Sequence, residues 1–322
     1  MIQSSKPLPD ALSRLRLPVI GAPLFIVSNP NLVIAQCKAG IVGSFPALNA
    51  RPQNQLDEWI HEITEALAEH DRDHPDAPSA PFAVNQIVHR SNDRFDADMT
   101  TCAKWKVPIV ITSLGAREEL NHAVHDWGGI TLHDIIDDRF ARKAVDKGAD
   151  GLIAVAAGAG GHAGRWSPFA LIQEIRRWFD GPLILSGAIA TGRAVLATQA
   201  MGADLAYIGS PFIATPEARA SEEYKQGIVH GGAADIVNSA LFTGISGNYL
   251  RASIEAAGLD PANLPEPGPD AMNFQSATGA KAWRDIWGSG QGIGAIEAVL
   301  PAGELVARIA REYAEARAAL CA

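Results

Sequence analysis

Two stretches decide the fold: Leu183-Ile184-Leu185-Ser186-Gly187-Ala188-Ile189-Ala190-Thr191-Gly192-Arg193 and, one helix further on, Ala203-Asp204-Leu205-Ala206-Tyr207-Ile208-Gly209-Ser210-Pro211-Phe212. Each is a short apolar run closed by small residues, the pattern of a strand buried on both faces that ends in a tight turn. Small residues there let backbone N–H groups approach an anion at a helix start. Such turns fit the last two strands of a (β/α)₈ barrel, where phosphate is commonly held.

The same alternation repeats upstream. Strands are predicted at Leu17-Pro18-Val19-Ile20, Ile41-Val42-Gly43-Ser44-Phe45, Phe82-Ala83-Val84-Asn85, Ile109-Val110-Ile111-Thr112, Gly129-Ile130-Thr131-Leu132 and Leu152-Ile153-Ala154-Val155. Amphipathic patterns predict helices over Pro30 to Ala39, Gln55 to Glu69, Arg117 to His125, Arg139 to Lys147, Pro168 to Phe179, Arg193 to Met201 and Ala302 to Ala319. Asn29 and Pro30 start the first of these and Gly40 stops it. Eight short strands alternating with helices predict an α/β fold of the (β/α)₈ TIM-barrel type rather than an open sheet. From Thr215 to Trp287 the alternation fails, and Leu264-Pro265-Glu266-Pro267-Gly268-Pro269 breaks any regular element. The expected organisation is a barrel from residues 1–214 and 288–322, with a smaller, mainly helical subdomain, residues 215–287, inserted after strand eight.

Composition narrows the function. The 322 residues carry a formal net charge of -9, which argues against a general grip on nucleic acid or an anionic membrane. The three cysteines, Cys37, Cys102 and Cys321, are far apart and form no metal-type spacing. No stretch reaches membrane-span length and no secretory h-region opens the chain, so a cytoplasmic location is expected. The expected partner is a small-molecule substrate, with no nucleic acid and no membrane. A homodimer is compatible with the sequence, which does not fix the oligomeric state.

The loop after strand six, Gly158-Ala159-Gly160-Gly161-His162-Ala163-Gly164, is too glycine-rich for a simple connection and holds one ionisable side chain. His162 is the candidate catalytic base, because imidazole exchanges protons near neutral pH and glycine neighbours let ligands crowd against it. Trp166 and, in the insertion, Tyr249 are candidate substrate contacts, each with helix or core packing as the competing reading. Ser167-Pro168 reads as a helix start. Asn85 closes strand three, where it can meet a ligand ring or merely cap the strand. Gln291, within Gly288-Ser289-Gly290-Gln291-Gly292, reaches toward the barrel mouth. The pattern Gly158-x-Gly160-x-x-Ala163 imitates a dinucleotide fingerprint, but no acidic residue closes the next strand. No metal site is expected: His70 and His74 lie beside the Pro-rich loop Asp71 to Pro81, and His122 and His125 lack a third ligand. Asp134, Asp137 and Asp138 read as the negative start of a helix. The absence of a G-x-S-x-G elbow weakens a hydrolase reading.

Pro18-Val19-Ile20-Gly21-Ala22-Pro23-Leu24, Ala39-Gly40, Phe82-Ala83-Val84-Asn85, Ala159 to Gly164, Ser186-Gly187-Ala188, Ile208-Gly209-Ser210-Pro211-Phe212 and Gly290-Gln291-Gly292 together resemble the nitronate monooxygenases, FMN-dependent barrel enzymes once called 2-nitropropane dioxygenases. The resemblance spans nearly the whole chain. It implies that Ala22, Pro23, Leu24 and Asn85 lie along the flavin, and that Gly160 and Gly161 approach it. It further implies that Ser186, Gly187, Ala188, Gly209 and Ser210 hold the phosphate side and that Gln291 completes the site. His162 then abstracts the α-proton of a neutral nitroalkane, and a nitronate is oxidised by O₂ to a carbonyl compound and nitrite. Ala188, Ser210 and Leu24 stand where the family usually has Gly, Thr and Met. The alternative on the same fold is a reductase of quinones or enoyl thioesters driven by NADH or NADPH. A flavin-free isomerase or aldolase and a non-catalytic flavin-binding protein are the readings from other classes.

Overall fold

The computed structural model describes residues 7–266 and 284–321. The stretch Pro267-Gly268-Pro269 and the rest of 267–283 lie outside the described residues, as do residues 1–6. Eight parallel strands form the barrel: β1 (Val19–Gly21), β2 (Gly43–Pro46), β3 (Phe82–Ile87), β4 (Ile109–Ser113), β5 (Ile130–Ile135), β6 (Gly151–Val155), β8 (Leu183–Ser186) and β9 (Leu205–Ile208). A two-residue strand, β7 (Gly161–His162), interrupts the series. Neighbouring strands pair from β2 through β9 and on to β1. The ring closes between β1 and the start of β2 through the Ile20 to Val42 bridge and the Gly21 N–H bond to the Val42 carbonyl, 2.8 Å.

Helices cover the barrel: α1 (Asp10–Ser13), α2 (Pro30–Lys38), α3 (Gln55–Asp73), α4 (Phe95–Lys104), α5 (Glu118–Asp126), α6 (Asp138–Asp146), α7 (Pro168–Arg176), α8 (Gly192–Ala200), α9 (Ser210–Ile213), α10 (Glu222–His230), α11 (Arg251–Ala256) and α12 (Ala302–Cys321). The boundaries of α2 follow from its signals: Asn29 accepts the Asn31 N–H, Pro30 opens the helix, and Gly40 takes φ +87° beyond its end. Helix α3 runs on to Asp73, past the predicted stop at Glu69, and His70 stacks on His74 with ring centroids 4.4 Å apart. Helix α4 had no sequence prediction. Ser167 occupies the N-cap position of α7, but Pro168 rather than a side-chain hydrogen bond marks the start.

Alternate strand residues fill the barrel. Ile20, Ala83, Ile109, Ile111, Leu132, Ile153, Ile184 and Leu205 form one apolar cluster, and Leu12 of α1 plugs it from the amino-terminal end. Complete burial of a Leu or Ile side chain contributes roughly 1.5–3 kcal/mol, so these layers make the barrel a rigid platform for its upper rim. Outside it, α12 packs on α2 and α8 and closes the helical ring.

The insertion holds α10, α11 and a hairpin that the sequence did not reveal, β10 (Ile236–Ser239) with β11 (Gly247–Leu250). Strand β11 also pairs antiparallel with β7, Asn248 opposite Gly161 and Gly247 opposite His162. The insertion is thereby stitched to the loop that carries the candidate base.

Candidate active site

The carboxyl ends of the strands open into a cavity of about 1990 Å³. Its floor is the uppermost inward layer of the barrel, where Asn85, Ser113, Asp134 and Tyr207 replace the apolar residues below. These groups are linked in a set direction. Asn85 Nδ2 donates to Ser113 Oγ at 2.8 Å, and Ser113 Oγ donates in turn to Asp134 Oδ2. Asp134 Oδ1 and the Tyr207 hydroxyl are buried with no protein partner among the described residues. Burial pushes the Asp134 carboxyl up to about 7, while the Ser113 hydrogen bond opposes the shift. Tyr207 is held well above its ordinary value by burial and by the nearby Asp134 charge. Buried polar atoms are normally satisfied. Two orphaned atoms beneath one cavity fit a ligand with a polar ring edge.

The loop after β1 forms one wall, with Ala22, Pro23 and Leu24 on the cavity. Asn49 holds that loop: it accepts from the Ile26 N–H at 2.8 Å and donates to the carbonyls of Leu24 and Ser28 at 2.9 Å each. Ile26 takes φ +59°, a conformation that is costly for a β-branched side chain.

The opposite wall is backbone. Gly160 passes so close to the 288–292 segment that a Cβ on it would stand 2.7 Å from the Gly290 nitrogen. Gly158 takes φ +87° and its carbonyl accepts the Gln291 N–H at 2.9 Å. Asn248 Nδ2 donates to the Ala159 carbonyl at 2.6 Å, fixing the loop from the insertion side. His162 lines the cavity, and its Nε2 lies 3.0 Å from Thr243 Oγ1. Burial lowers the imidazole to about 4, so it is neutral at physiological pH. His133, bonded through Nδ1 to the Thr112 hydroxyl, is lowered to about 4 by burial and then by Lys143 and Lys147.

At the far end, Ser186, Gly187, Ala188, Gly209 and Ser210 line the cavity together. Gly187 has φ +144°, and Ala188 has φ +54° although it bears a Cβ. A Cβ on Gly209 would approach Leu24 Cδ2 to 3.3 Å, so glycine keeps this end open. Ser210 Oγ accepts the Gly290 N–H at 2.9 Å.

Ala22, Pro23, Leu24, Asn85, Gly160, Gly161 and His162 thus meet the turns after β8 and β9 around one cavity. Three expectations need correction. Tyr249 is fully buried, packs edge-on to Phe242 and is not on the cavity; its hydroxyl lies 3.5 Å from Thr243 Oγ1, which in turn neighbours His162. Trp166 is 46 % exposed with Arg165 over its ring and lies off the cavity as well, because it sits at the outer start of α7. Asp134 belongs to β5 and points inward, whereas Asp137 caps α6 through the Phe140 N–H and Asp138 starts it.

The anion at the start of α8 is the protein's own: Glu312 Oε2 accepts the Gly192 N–H at 2.7 Å. Gln291 is exposed and does not line the cavity, and its side-chain oxygen would lie 3.1 Å from a Cβ on Gly158. Ser113, His133, Tyr207 and Thr243 were not singled out in the sequence. Ser113 and Tyr207 lie at inward positions near the ends of their strands, a period-2 signal; His133, next to the inward Asp134, faces the other side of its strand beside Thr112, and Thr243 has no local signal.

A family model described as nitronate monooxygenase matches residues 6–312. A nitronate monooxygenase of Paraburkholderia phytofirmans is 27% identical, with 92% of each chain covered. The solved nitroalkane oxidase of Streptomyces ansochromogenes superposes with a TM-score of 0.81 at 25% identity, covering 97% of this chain and 100% of that one. FabK from Thermotoga maritima, at 24% identity with 97% and 96% covered, shares the fold with a TM-score of 0.78. The chain belongs to the nitronate monooxygenase family and is an oxidoreductase of its flavin-dependent type.

Proposed function

We propose that this protein binds FMN and oxidises alkyl nitronates, and neutral nitroalkanes after deprotonation, to carbonyl compounds and nitrite. The observation that carries the reading is a neutral, half-buried His162 on the same cavity as the paired turns Gly187-Ala188 and Gly209-Ser210. A bound FMN would supply the two-electron acceptor for the substrate and the route from it to O₂. The turns after β8 and β9 would hold its phosphate, Ala22, Pro23 and Leu24 would lie along the ring, and the orphaned Asp134 and Tyr207 atoms suit the ring's polar edge. His162 takes the α-proton of a neutral nitroalkane. A nitronate needs no base, because it has already lost that proton.

Absorption spectroscopy of the purified protein, then anaerobic mixing with a preformed nitronate, NADH and NADPH in turn, tests this. Expected are a flavin spectrum, bleaching by the nitronate alone, and nitrite on admitting air. Reduction by a nicotinamide and not by the nitronate would instead identify a nicotinamide-driven reductase. A protein that stays colourless after incubation with FMN would overturn both. His162→Ala should lower nitroalkane kcat/KM by about 10² to 10⁴, the usual contribution of a positioned base, with a much smaller loss on preformed nitronates.

A further inference from the structure

The floor of the cavity ends in two oxygens that the fold leaves without partners, Asp134 Oδ1 and Tyr207 Oη, and the hydrogen bonds beneath them decide what they offer a ligand. Asn85 sets the order. Its Nδ2 lies 3.3 Å from the Ile111 carbonyl oxygen and 2.8 Å from Ser113 Oγ. A carbonyl only accepts, so the amide nitrogen, and not its oxygen, faces both groups. Ser113 Oγ therefore accepts from Asn85 and gives its own hydrogen to Asp134 Oδ2, the other oxygen within its reach among the described residues. That leaves Oδ1, closed off from solvent.

An ionised carboxylate here would have one hydrogen bond and, among the described residues, no cation to pair with, above a layer packed by Leu132, Ile153 and Leu205. A neutral acid avoids that cost and gains a donor. With the Ser113 hydrogen on Oδ2, the acid hydrogen belongs on Oδ1; on Oδ2 it would displace the Ser113 hydrogen, which has no second acceptor among the described residues. Burial, which raises the carboxyl to about 7, acts in the same sense. Tyr207 supplies a second O–H. It is 7% exposed, and a charge on Asp134 would reach it and hold its proton still more tightly.

We infer that Asp134, as a neutral acid with its hydrogen on Oδ1, and Tyr207 form a two-donor pocket for hydrogen-bond acceptors on one edge of a bound heteroaromatic ring, with Ser113 as the positioning residue that settles which Asp134 oxygen donates. This rests on the reading that the cavity holds FMN, whose ring carries two carbonyl oxygens and two unprotonated nitrogens besides its one N–H. The pocket fits those acceptors rather than the N–H. Ionisation of Asp134 removes one donor, so binding weakens as pH rises through the carboxyl's range. Tyr207 faces Asp134 from β9, His162 and Lys143 line the same cavity, and His133, within reach of the Lys143 and Lys147 charges, lies on the other side of β5. Both histidines, lowered to about 4, are already neutral, and Tyr207 keeps its proton.

The test is titration of full-length, flavin-free protein with FMN from about pH 6 to 9, for wild type, Asp134→Asn, Asp134→Leu and Tyr207→Phe. Beside it, ¹³C NMR of aspartate-carboxyl-labelled protein follows the Asp134 signal, identified by its loss in Asp134→Asn. Asparagine is a permanent copy of the neutral acid: its oxygen accepts from Ser113 and its N–H replaces the O–H. Wild-type affinity should therefore fall relative to Asp134→Asn as pH rises, by about tenfold or more at pH 9, since only the protonated fraction binds. The ratio cancels the titration of the FMN phosphate itself. Asp134→Leu and Tyr207→Phe should each bind about tenfold more weakly at pH 6, the loss of one buried hydrogen bond. The Asp134 signal should titrate near 7 without flavin, higher with FMN, and higher in flavin-free Ser113→Ala, which lacks the donor that lowers it. A ratio constant over this range, a natively folded Asp134→Asn about tenfold weaker at pH 6, or a wild-type carboxyl titrating at its ordinary value would overturn the inference. Should Asp134→Leu or Tyr207→Phe fail to fold, the asparagine ratio and the carboxyl titration still decide it. Protein that takes up no FMN while its carboxyl titrates near 7 would remove the flavin reading, and with it the ring as the pocket's ligand, but not the neutral acid.

Discussion

Asp134 and the two cavity histidines pull the pH dependence of stability in opposite directions. His133 and His162 are lowered from 6.5 to about 4 in the fold. The unfolded chain therefore takes up protons first as pH falls, and the fold loses stability between 6.5 and 4, by about 3 kcal/mol for each histidine. Asp134 is raised from 3.8 to about 7. Its contribution is full below 3.8 and is lost as pH rises through 7, about 4 kcal/mol in all. Urea unfolding of flavin-free protein should therefore show Asp134→Asn more favourable, relative to wild type, at pH 8 than at pH 4 by about that amount. An equal difference at both pH values would show that the carboxyl does not hold its proton. For catalysis, the low His162 value predicts that kcat/KM for neutral nitroalkanes is flat from pH 8 down to about 5, with its acid limb near 4. A limb at the ordinary 6.5 would mean a solvated imidazole.

At the scale of elements, Gly160 and Glu312 hold pieces of chain together. Gly160→Ala drives a Cβ to 2.7 Å of the Gly290 nitrogen and 2.9 Å of the Ser289 carbonyl carbon, both backbone atoms. Flavin titration should show at least about tenfold weaker binding, with a lower unfolding midpoint, since strain of this kind costs roughly 1–3 kcal/mol. Gly303, in the first turn of α12, is a control: nothing lies within 4 Å of its added Cβ, so Gly303→Ala should be neutral or stabilise by up to about 1 kcal/mol.

Glu312→Gln should lower stability by about 0.5–1 kcal/mol by removing the charge at the start of α8, while FMN affinity stays within about twofold. A large loss of affinity would mean that α8, rather than the turn before it, holds the phosphate. These elements also show what local sequence can tell. Strands buried on both faces and helices with paired start and stop residues were legible, and so was the glycine loop of His162. The β10–β11 hairpin was not, because its second strand finds a partner in two residues of a loop far along the chain. Asp134 was misread for a related reason: three acidic residues within five positions look like one helix start, and only strand register turns the first inward.

For the whole molecule, the candidate site is gathered from the loop after β1, the ends of β3 to β9, the insertion and the 288–292 segment. A ligand that bridges so many segments should stabilise all of them at once. Adding FMN at 100 times its dissociation constant should raise the unfolding free energy by about 2.7 kcal/mol, seen as one cooperative transition moving to higher temperature. Separate transitions for barrel and insertion would contradict the coupling through β7. Gathering was the part least legible in advance: the family resemblance predicted which residues meet, but the meeting of Thr243 with His162 arises from pairing between distant segments. The backbone contact between Gly160 and Gly290 has a further consequence for biosynthesis. A nascent chain that has completed all eight barrel strands still lacks one wall of the candidate site, so a ligand that needs that wall can be held only after the 288–292 segment has been made and has docked.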